Sequence, residues 1–279
     1  MLQGINEILP DQLSKRHDML DKVLGSFISH GYKRITTPSF EPFSDISKGW
    51  GSYLKEESIK FISDGGAVMA LRPEMTSSIA RLITSRIDDI ALPQKLYYAE
   101  NVFRKNHILR KQEFMQVGME SLGESSAESD VDMVKVVVDV MTAAGINNFR
   151  IELGHVENVK DKSEEDIKAL ATKHFHNVSE IPPLGDESVL EKNSYLSQFA
   201  QVLKLKYPEC VDNVIYNRGL VQEMAYYTGV YFNVLVDGIG HAVGSGGRYD
   251  DLYQKYGHDV SAIGFALEFE KLAMCFEEM

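Results

Sequence analysis

Three carboxylates and three tyrosines are the residues of this sequence whose types best suit a small cationic ligand. Glu74, Glu100 and Glu120 can each accept a hydrogen bond from an ammonium group or an imidazole. Gln116 adds a neutral amide, and Arg104 adds a positive charge nearby in the sequence. Later in the chain, Tyr226, Tyr227 and Tyr249 could line a ligand site with aromatic rings that carry hydroxyl groups. The set favours a ligand that carries an ammonium group together with an imidazole or an amide.

Two antiparallel strands predicted within residues 95–120 place four of these groups together. On the return strand, Met115, Val117 and Met119 alternate with polar or small residues, which indicates that one face packs on a core. Cross-strand neighbours share a face, so the opposite face presents a polar set, Glu100, Arg104, Gln116 and Glu120. A solvated sheet face is the structural alternative. The number of polar groups on one patch, with a glycine leaving room among them, favours a binding surface.

Helices and a second hairpin must hold this surface in place. Apolar periodicity predicts helices over residues 10–30 and 127–144, each followed by a glycine that ends it. A hairpin over residues 58–71 leads into an extended segment whose polar residues share one face, Arg72, Glu74 and Thr76. The last of these is predicted to cap the helix that follows.

Further strands and one charged segment complete the chain. The predicted strands cover residues 32–37, 149–154, 211–216, 226–236, 241–244 and 262–266. Residues 244–250 predict a glycine-rich turn into a short helix, and a last helix starts at Glu268. Residues 157–208 are charged and periodic at helical spacing, which predicts a small helical insertion. Because the strands come mostly as hairpins, the pattern favours an α+β fold with a largely antiparallel sheet.

Composition limits the function further. The chain has 279 residues, 44% of them hydrophobic, and a net charge of −12, which argues against a protein that grips a nucleic-acid backbone. Its two cysteines lack ligand-like spacing, so neither a disulfide framework nor a metal site is expected. Neither a dinucleotide-binding motif nor a P-loop is found, and no cofactor is expected. Without an apolar run or a signal-peptide pattern, a cytoplasmic location is expected.

Six segments, in order along the chain, resemble motifs in the catalytic domain of histidyl-tRNA synthetase, a class II aminoacyl-tRNA synthetase. They are residues 71–76 (LRPEMT), 103–104 (FR), 114–120 (FMQVGME), 226–229 (YYTG), 246–250 (GGRYD) and 262–267 (AIGFAL). The resemblance implies one class II synthetase-like α+β domain over residues 1–279. It would contain a six-stranded antiparallel sheet flanked by helices, with the helical insertion at about residues 157–208. It also implies a dimer, and no C-terminal anticodon-binding domain is expected.

The resemblance implies roles for the candidate residues. Glu74 and Gln116 would hold the α-ammonium group of histidine, while Glu120 and Tyr227 would bond its imidazole. The rest of the implied histidine site is Thr76, Arg104, Tyr226 and Tyr249. Strand periodicity independently places Gln116 and Glu120 on one face. For the Tyr226–Tyr227 pair taken alone, ordinary strand packing is the alternative.

Four positions depart from the pattern of the enzymes. Asn106 stands where a glutamate helps to hold ATP, and Gln222 stands where a catalytic arginine is expected. Lys271 stands in place of an arginine that clamps the triphosphate, and Glu268 in place of a glycine of the same motif. Activating an amino acid needs positive charge aimed at the developing phosphate centre, and lysine lacks the planar fork of arginine. These departures argue against catalysis.

The sequence retains the histidine-binding residues of the synthetases but lacks several of their activating groups. In this it resembles the regulatory subunits of ATP phosphoribosyltransferase, which are synthetase paralogues. The resemblance implies a non-catalytic subunit that activates the short catalytic subunit in the first step of histidine biosynthesis and allows feedback inhibition by histidine. The implied partners are that catalytic subunit and further copies of this chain, within a hetero-octamer. Neither tRNA nor a membrane is expected as a partner. The alternatives are an active histidyl-tRNA synthetase and a synthetase-like binding module for another partner.

Overall fold

A computed structural model describes residues 7–105, 111–171, 182–191, 194–221 and 226–277. The helices of these residues are α1 (Pro10–Ser29), α2 (Phe43–Ile46), α3 (Ser52–Glu57), α4 (Thr76–Thr84), α5 (Ala127–Ala143), α6 (Glu164–Ala171), α7 (Tyr195–Lys206), α8 (Asp251–Gln254) and α9 (Phe269–Glu277). The strands are β1 (Lys33–Arg34), β2 (Phe40–Pro42), β3 (Lys60–Ile62), β4 (Val68–Leu71), β5 (Gln94–Phe103), β6 (Glu113–Leu122), β7 (Phe149–His155), β8 (Leu184–Gly185), β9 (Val214–Asn217), β10 (Val230–Val236), β11 (Gly244–Arg248) and β12 (Ala262–Glu268).

The central sheet of the described residues has nine strands in the order β1-β5-β6-β12-β11-β10-β7-β9-β8. Among the six central strands, β5-β6-β12-β11-β10-β7, every neighbouring pair is antiparallel. The predicted six-stranded antiparallel sheet is therefore confirmed as the centre of this sheet. The predicted strand count was too low, because β1 and β9 join the two edges in parallel and β8 pairs with β9. A second sheet, β2-β4-β3, contains the predicted hairpin. The α+β class is confirmed.

One face of the central sheet packs against α1, α5 and α7. The alternation predicted on β6 is confirmed there, since Val117 and Met119 are fully buried in this core. Each such side chain contributes about 1.5–3 kcal/mol relative to an exposed one. Helix α7 lies within the predicted insertion, yet it buries Leu196, Phe199 and Leu203 in the same core. The outline of the insertion as a separate unit stays a prediction.

The long helices begin and end at residues suited to those positions. Helix α1 has Pro10 in its first turn and is followed by Gly31, whose φ of 83° suits glycine. Helix α5 starts at a capping box in which the Ser126 hydroxyl accepts the Ser129 N–H at 3.1 Å and the Ser129 hydroxyl accepts the Ser126 N–H at 3.2 Å. These ends fix the two helices that support the sheet from its core side.

The glycine-rich segment before Arg248 is a strand, where the sequence predicted a turn. Its glycines are needed because the neighbouring strands lie close. A Cβ at Gly246 would lie 2.6 Å from Cζ of Phe232, and one at Gly247 would lie 2.6 Å from the carbonyl oxygen of Val230. The strand predicted from residue 226 starts only at Val230, which leaves Tyr226 and Tyr227 in the preceding loop.

Candidate functional site

Glu120 is the centre of the polar face of the sheet. Its side chain is 1% exposed, and its two carboxylate oxygens accept hydrogen bonds from different elements. The Thr76 hydroxyl, at the start of α4, donates to Oε1 at 3.0 Å, and the Tyr249 hydroxyl donates to Oε2. Burial raises the pKa of Glu120 to about 8, against the effect of these two hydrogen bonds, and the charge of Glu74 adds to the rise.

Glu74 lies between β4 and α4 and is also buried. Its carboxylate oxygens accept the backbone N–H of Ser77 at 3.0 and 3.2 Å, which satisfies a donor in the first turn of α4. The predicted cap at Thr76 is therefore wrong, because the Thr76 hydroxyl is turned towards Glu120 instead. Burial raises the pKa of Glu74, while the Ser77 hydrogen bonds and the charge of Arg104 oppose the rise. The site thus holds two acidic groups whose ionised forms are disfavoured.

Gln116 and Arg104 tie the segment around Glu74 to the β5–β6 hairpin. The side-chain oxygen of Gln116 accepts the Met75 N–H at 3.1 Å, and Nε of Arg104 donates to the Pro73 carbonyl oxygen at 2.9 Å. Both side chains are buried. These two bonds hold Glu74 and Thr76 against the sheet, so the predicted grouping of these four residues with Glu120 is observed.

Tyrosine rings close the other side of the site. The Tyr226 ring lies 5.1 Å from Tyr227 and 5.7 Å from Tyr249, in edge-to-face contacts. Tyr226 and Tyr249 are buried, and Tyr227 is partly exposed. Burial raises the pKa of all three phenols, and the nearby charge of Glu120 adds to the rise. The tyrosines are therefore neutral hydrogen-bond donors beside acidic groups.

A buried ion pair fixes the position of Tyr249. The preceding residue, Arg248, donates from Nε to Asp130 Oδ1 of α5 at 2.9 Å and from Nη1 to Asp250 Oδ1 at 3.1 Å. Both Arg248 and Asp130 are buried. Because the pair clamps the end of β11 onto α5, it sets where the Tyr249 hydroxyl points.

Glu100 does not belong to this cluster, although the sequence predicted a third carboxylate here. Its Oε2 atom pairs with Nη2 of Arg72 at 3.0 Å. Arg72 is 2% exposed and donates further to the Asn101 carbonyl oxygen at 2.8 Å and the Thr37 carbonyl oxygen at 2.5 Å. This arginine joins three segments of backbone, so Arg72 and Glu100 stabilise the fold.

A second ionic group lies at the end of β12, beside Gln116. Oε2 of Glu268 forms an ion pair with Nζ of Lys271 at 2.8 Å. Its other oxygen, Oε1, lies 3.9 Å from Nη1 of Arg104. The Glu268 carboxylate is therefore shared by two cations, Lys271 and Arg104. All three side chains are mostly buried. Asn106 and Gln222, the other two departures from the enzyme pattern, lie outside the described residues.

The sequence did not single out Tyr98 and Gly264 as parts of the site. Tyr98 stands opposite Gly118 in the β5–β6 register, and its hydroxyl would lie 2.6 Å from a Cβ built at Gly118. Gly264 stands opposite Glu120. The available signal was a glycine in the middle of a predicted strand, which marks a close approach of another group.

The sheet and the buried carboxylate–tyrosine site define a protein of the class II aminoacyl-tRNA synthetase-like fold. A family model described as histidyl-tRNA synthetase matches residues 4–181 and 178–272. A solved structure described as an ATP phosphoribosyltransferase regulatory subunit/histidyl-tRNA synthetase from Bacillus halodurans is similar in fold, with a TM-score of 0.89 at 24% identity. The match covers 98% of this chain and 82% of that one. The predicted fold family is therefore confirmed.

Curated relatives narrow the class. An ATP phosphoribosyltransferase regulatory subunit from Ruminiclostridium cellulolyticum is 30% identical, over 99% of this chain and 75% of the relative. One from Halothermothrix orenii is 29% identical, over 97% of this chain and 74% of the relative. This chain belongs to the family of ATP phosphoribosyltransferase regulatory subunits. As such it is a regulatory subunit rather than an enzyme in its own right. None of the helices in the described ranges is long and apolar enough to cross a membrane.

Proposed function

We propose that this chain binds L-histidine at the cluster around Glu120 and passes that signal to the short catalytic subunit of ATP phosphoribosyltransferase. Free of histidine, the chain activates that subunit in the first step of histidine biosynthesis. With histidine bound, it allows feedback inhibition. The observation that carries the proposal is the buried pair of carboxylates, Glu74 and Glu120, surrounded by neutral phenols.

The charges of the site support a ligand such as histidine. Burying a carboxylate without an opposite charge is unfavourable, and burial dominates the raised pKa values of both Glu74 and Glu120. A ligand with an α-ammonium group supplies positive charge, and an imidazole N–H supplies a donor. Glu74 and Gln116 would hold the ammonium group, and Glu120 and Tyr227 the imidazole.

The existing hydrogen bonds suggest how binding becomes a signal. Thr76 and Tyr249 already occupy the oxygens of Glu120, and the Met75 N–H occupies Gln116. A ligand that bonds Glu120 must therefore share these oxygens with the hydroxyl groups of Thr76 and Tyr249, or displace one of them. An effector changes an equilibrium only when it interacts differently with two states. The free and ligand-bound arrangements of these two elements would be those states.

The ionic group around Glu268 supports a regulatory role over catalysis. Arg104 and Lys271 share this one carboxylate. In the resemblance, Lys271 and Glu268 stand at positions of the motif that clamps the triphosphate of ATP. A carboxylate that pairs with both cations competes with such phosphates, so an active synthetase is the weaker alternative.

Adding this chain to the short catalytic subunit of the same organism should raise the rate of phosphoribosyl transfer to ATP. Histidine should reverse the gain, because it stabilises the other state of the complex. The measurement is the steady-state rate during a titration with this chain, with and without histidine. If the titration leaves the turnover of the catalytic subunit unchanged, the proposed function is wrong.

In the same preparation, the chain alone should show no histidine-dependent ATP–pyrophosphate exchange, whereas robust exchange would indicate a synthetase.

Self-association is the second part of the proposed assembly, and the small sheet supports it. On one face of this sheet the register brings together apolar residues, Phe40, Pro42, Phe61, Met69 and Leu71. The Phe40 and Phe61 side chains are 51% and 39% exposed, with their ring centroids 5.5 Å apart. Uncharged aromatic faces are typical of the cores of homodimer interfaces. We propose that this face contacts a second copy of the chain, within a hetero-octamer with the catalytic subunit.

Substituting Phe61→Asp should convert the dimer to a monomer, because a buried unpaired carboxylate in each copy opposes the contact. Sedimentation velocity at micromolar concentration measures the change. Ile28→Asp is the matched control, since Ile28 is 58% exposed on α1, away from the small sheet. A Phe61→Asp variant that stays dimeric would place the contact elsewhere on the chain.

A further inference from the structure

A row of register partners crosses the sheet beneath the candidate site. Glu120 on β6 stands opposite Gly264 on β12, Gly264 opposite Gly247 on β11, and Gly247 opposite Tyr231 on β10. Partners in register share a face, so the two glycines form a floor without side chains on the face that carries Glu120. This floor separates the carboxylate on one side from a tyrosine on the other.

Glu120 occupies that floor. A Cβ built at Gly264 would overlap the Oε2 atom of Glu120 and lie 2.8 Å from its Cδ atom. The Glu120 side chain therefore lies across the backbone of β12 rather than standing away from the sheet. In this position it receives the Thr76 hydroxyl from one element and the Tyr249 hydroxyl from another.

We propose that Gly264 is a positioning residue for Glu120. The absence of a side chain at Gly264 directs the carboxylate of Glu120 along the sheet, to the place where it meets Tyr249 and, on binding, the imidazole of the ligand. This inference rests on the proposed function for its ligand but not for its geometry. It assigns Gly264 a role in ligand affinity that the sequence pattern of a buried strand does not show.

A purely structural role for Gly264 predicts a different result. A Cβ there would also lie 2.6 Å from the carbonyl oxygen of Met119, so a substitution disturbs the β6–β12 pair to some extent in any case. The test must therefore separate the displacement of Glu120 from a general disturbance of the sheet. A double-mutant cycle does this, because it measures whether the effect of one change depends on the other residue.

Gly264→Ala should weaken histidine binding by about tenfold or more, the loss expected when one charge-assisted hydrogen bond is misplaced. In a Glu120→Ala background, which has no carboxylate to displace, the same change should weaken the remaining binding by less than about threefold. Calorimetry on the purified full chain measures both. Gly240→Ala is the matched control, since a Cβ at Gly240 would meet nothing within 4 Å. Equal losses in the two backgrounds would overturn the proposal.

A second cycle needs no ligand. Gly264→Ala should lower the melting temperature of the chain more in the wild-type background than in the Glu120→Ala background, because only the former contains the overlapping carboxylate. Equal shifts would overturn the proposal even if wild-type chain failed to bind histidine. Conversely, unequal shifts together with absent histidine binding would leave Gly264 as the positioning residue while rejecting the proposed ligand.

Discussion

Glu120→Gln should weaken histidine binding by roughly 10- to 100-fold. The carboxylate of Glu120 would accept the imidazole N–H, and losing a hydrogen bond to a charged group costs about 1.5–3 kcal/mol, where 1.4 kcal/mol is a factor of ten. Glutamine has nearly the same shape, and its side-chain oxygen can still accept a hydrogen bond from Thr76 or Tyr249. The variant should therefore fold. Calorimetric titration with histidine measures the effect.

The matched control for this substitution is Glu113→Gln. Glu113 lies on the same strand, but its carboxylate is exposed and bonds the Asn101 amide at 2.7 Å. It is the same Glu→Gln replacement on the same strand, made without touching the site, so histidine affinity should be unchanged. If the Glu120→Gln variant binds histidine as tightly as wild type, with circular dichroism unchanged, the histidine site lies elsewhere, and the contact with the catalytic subunit is the next place to test.

The same carboxylate should make the stability of the chain fall as the pH rises. Burial raises the pKa of Glu120 from 4.5 to about 8, so between these values the folded chain keeps a proton that the unfolded chain releases. The folded state then binds more protons, and the free energy of unfolding decreases with pH across this window. The Glu120 contribution is flat below pH 4.5 and above pH 8. One pKa unit corresponds to about 1.4 kcal/mol, so the full change amounts to several kcal/mol.

Glu120→Gln removes this proton and should flatten the curve. Other buried acids with raised pKa values, such as Glu74, remain in both proteins, so the informative quantity is the difference between the two unfolding free energies. That difference should grow in favour of the variant from about pH 5 to pH 8. Urea unfolding at several pH values measures it. Parallel curves for the two proteins would show that Glu120 titrates as an ordinary carboxyl group. The expected result is a variant that is more stable and binds less well, as at many functional sites.

The sequence allowed the β5–β6 hairpin and its two faces to be predicted because a strand has a period of two. The residues of β6 from Phe114 to Glu120 then alternate between the two faces of the sheet, and counting along the strand places Gln116 and Glu120 on the same face. The long helices were predictable for the same reason, through their apolar stripes and terminal glycines. Local patterns of this kind need no knowledge of distant contacts.

Side-chain partners from distant segments were not predictable in this way. Glu100 is on the same strand face as Gln116, but its side chain pairs with Arg72, which lies 28 residues earlier in the chain. Thr76 has the type and place of a helix cap, but a buried carboxylate across the site takes its hydroxyl. The glycines of β11 suggested a turn, whereas they permit close strands. In each case a tertiary contact outweighed a local preference.

The carboxylate of Glu268 affects how readily ATP can bind to this chain. The enzyme named in its family uses ATP, so a regulatory subunit works in the constant presence of that nucleotide. Arg104 and Lys271 could attract its phosphates, but they already share an acid that is part of the chain and cannot be diluted or consumed. A tethered anion has a far higher effective concentration than a dissolved one. If histidine binds as proposed, its binding would thereby be insulated from the concentration of ATP.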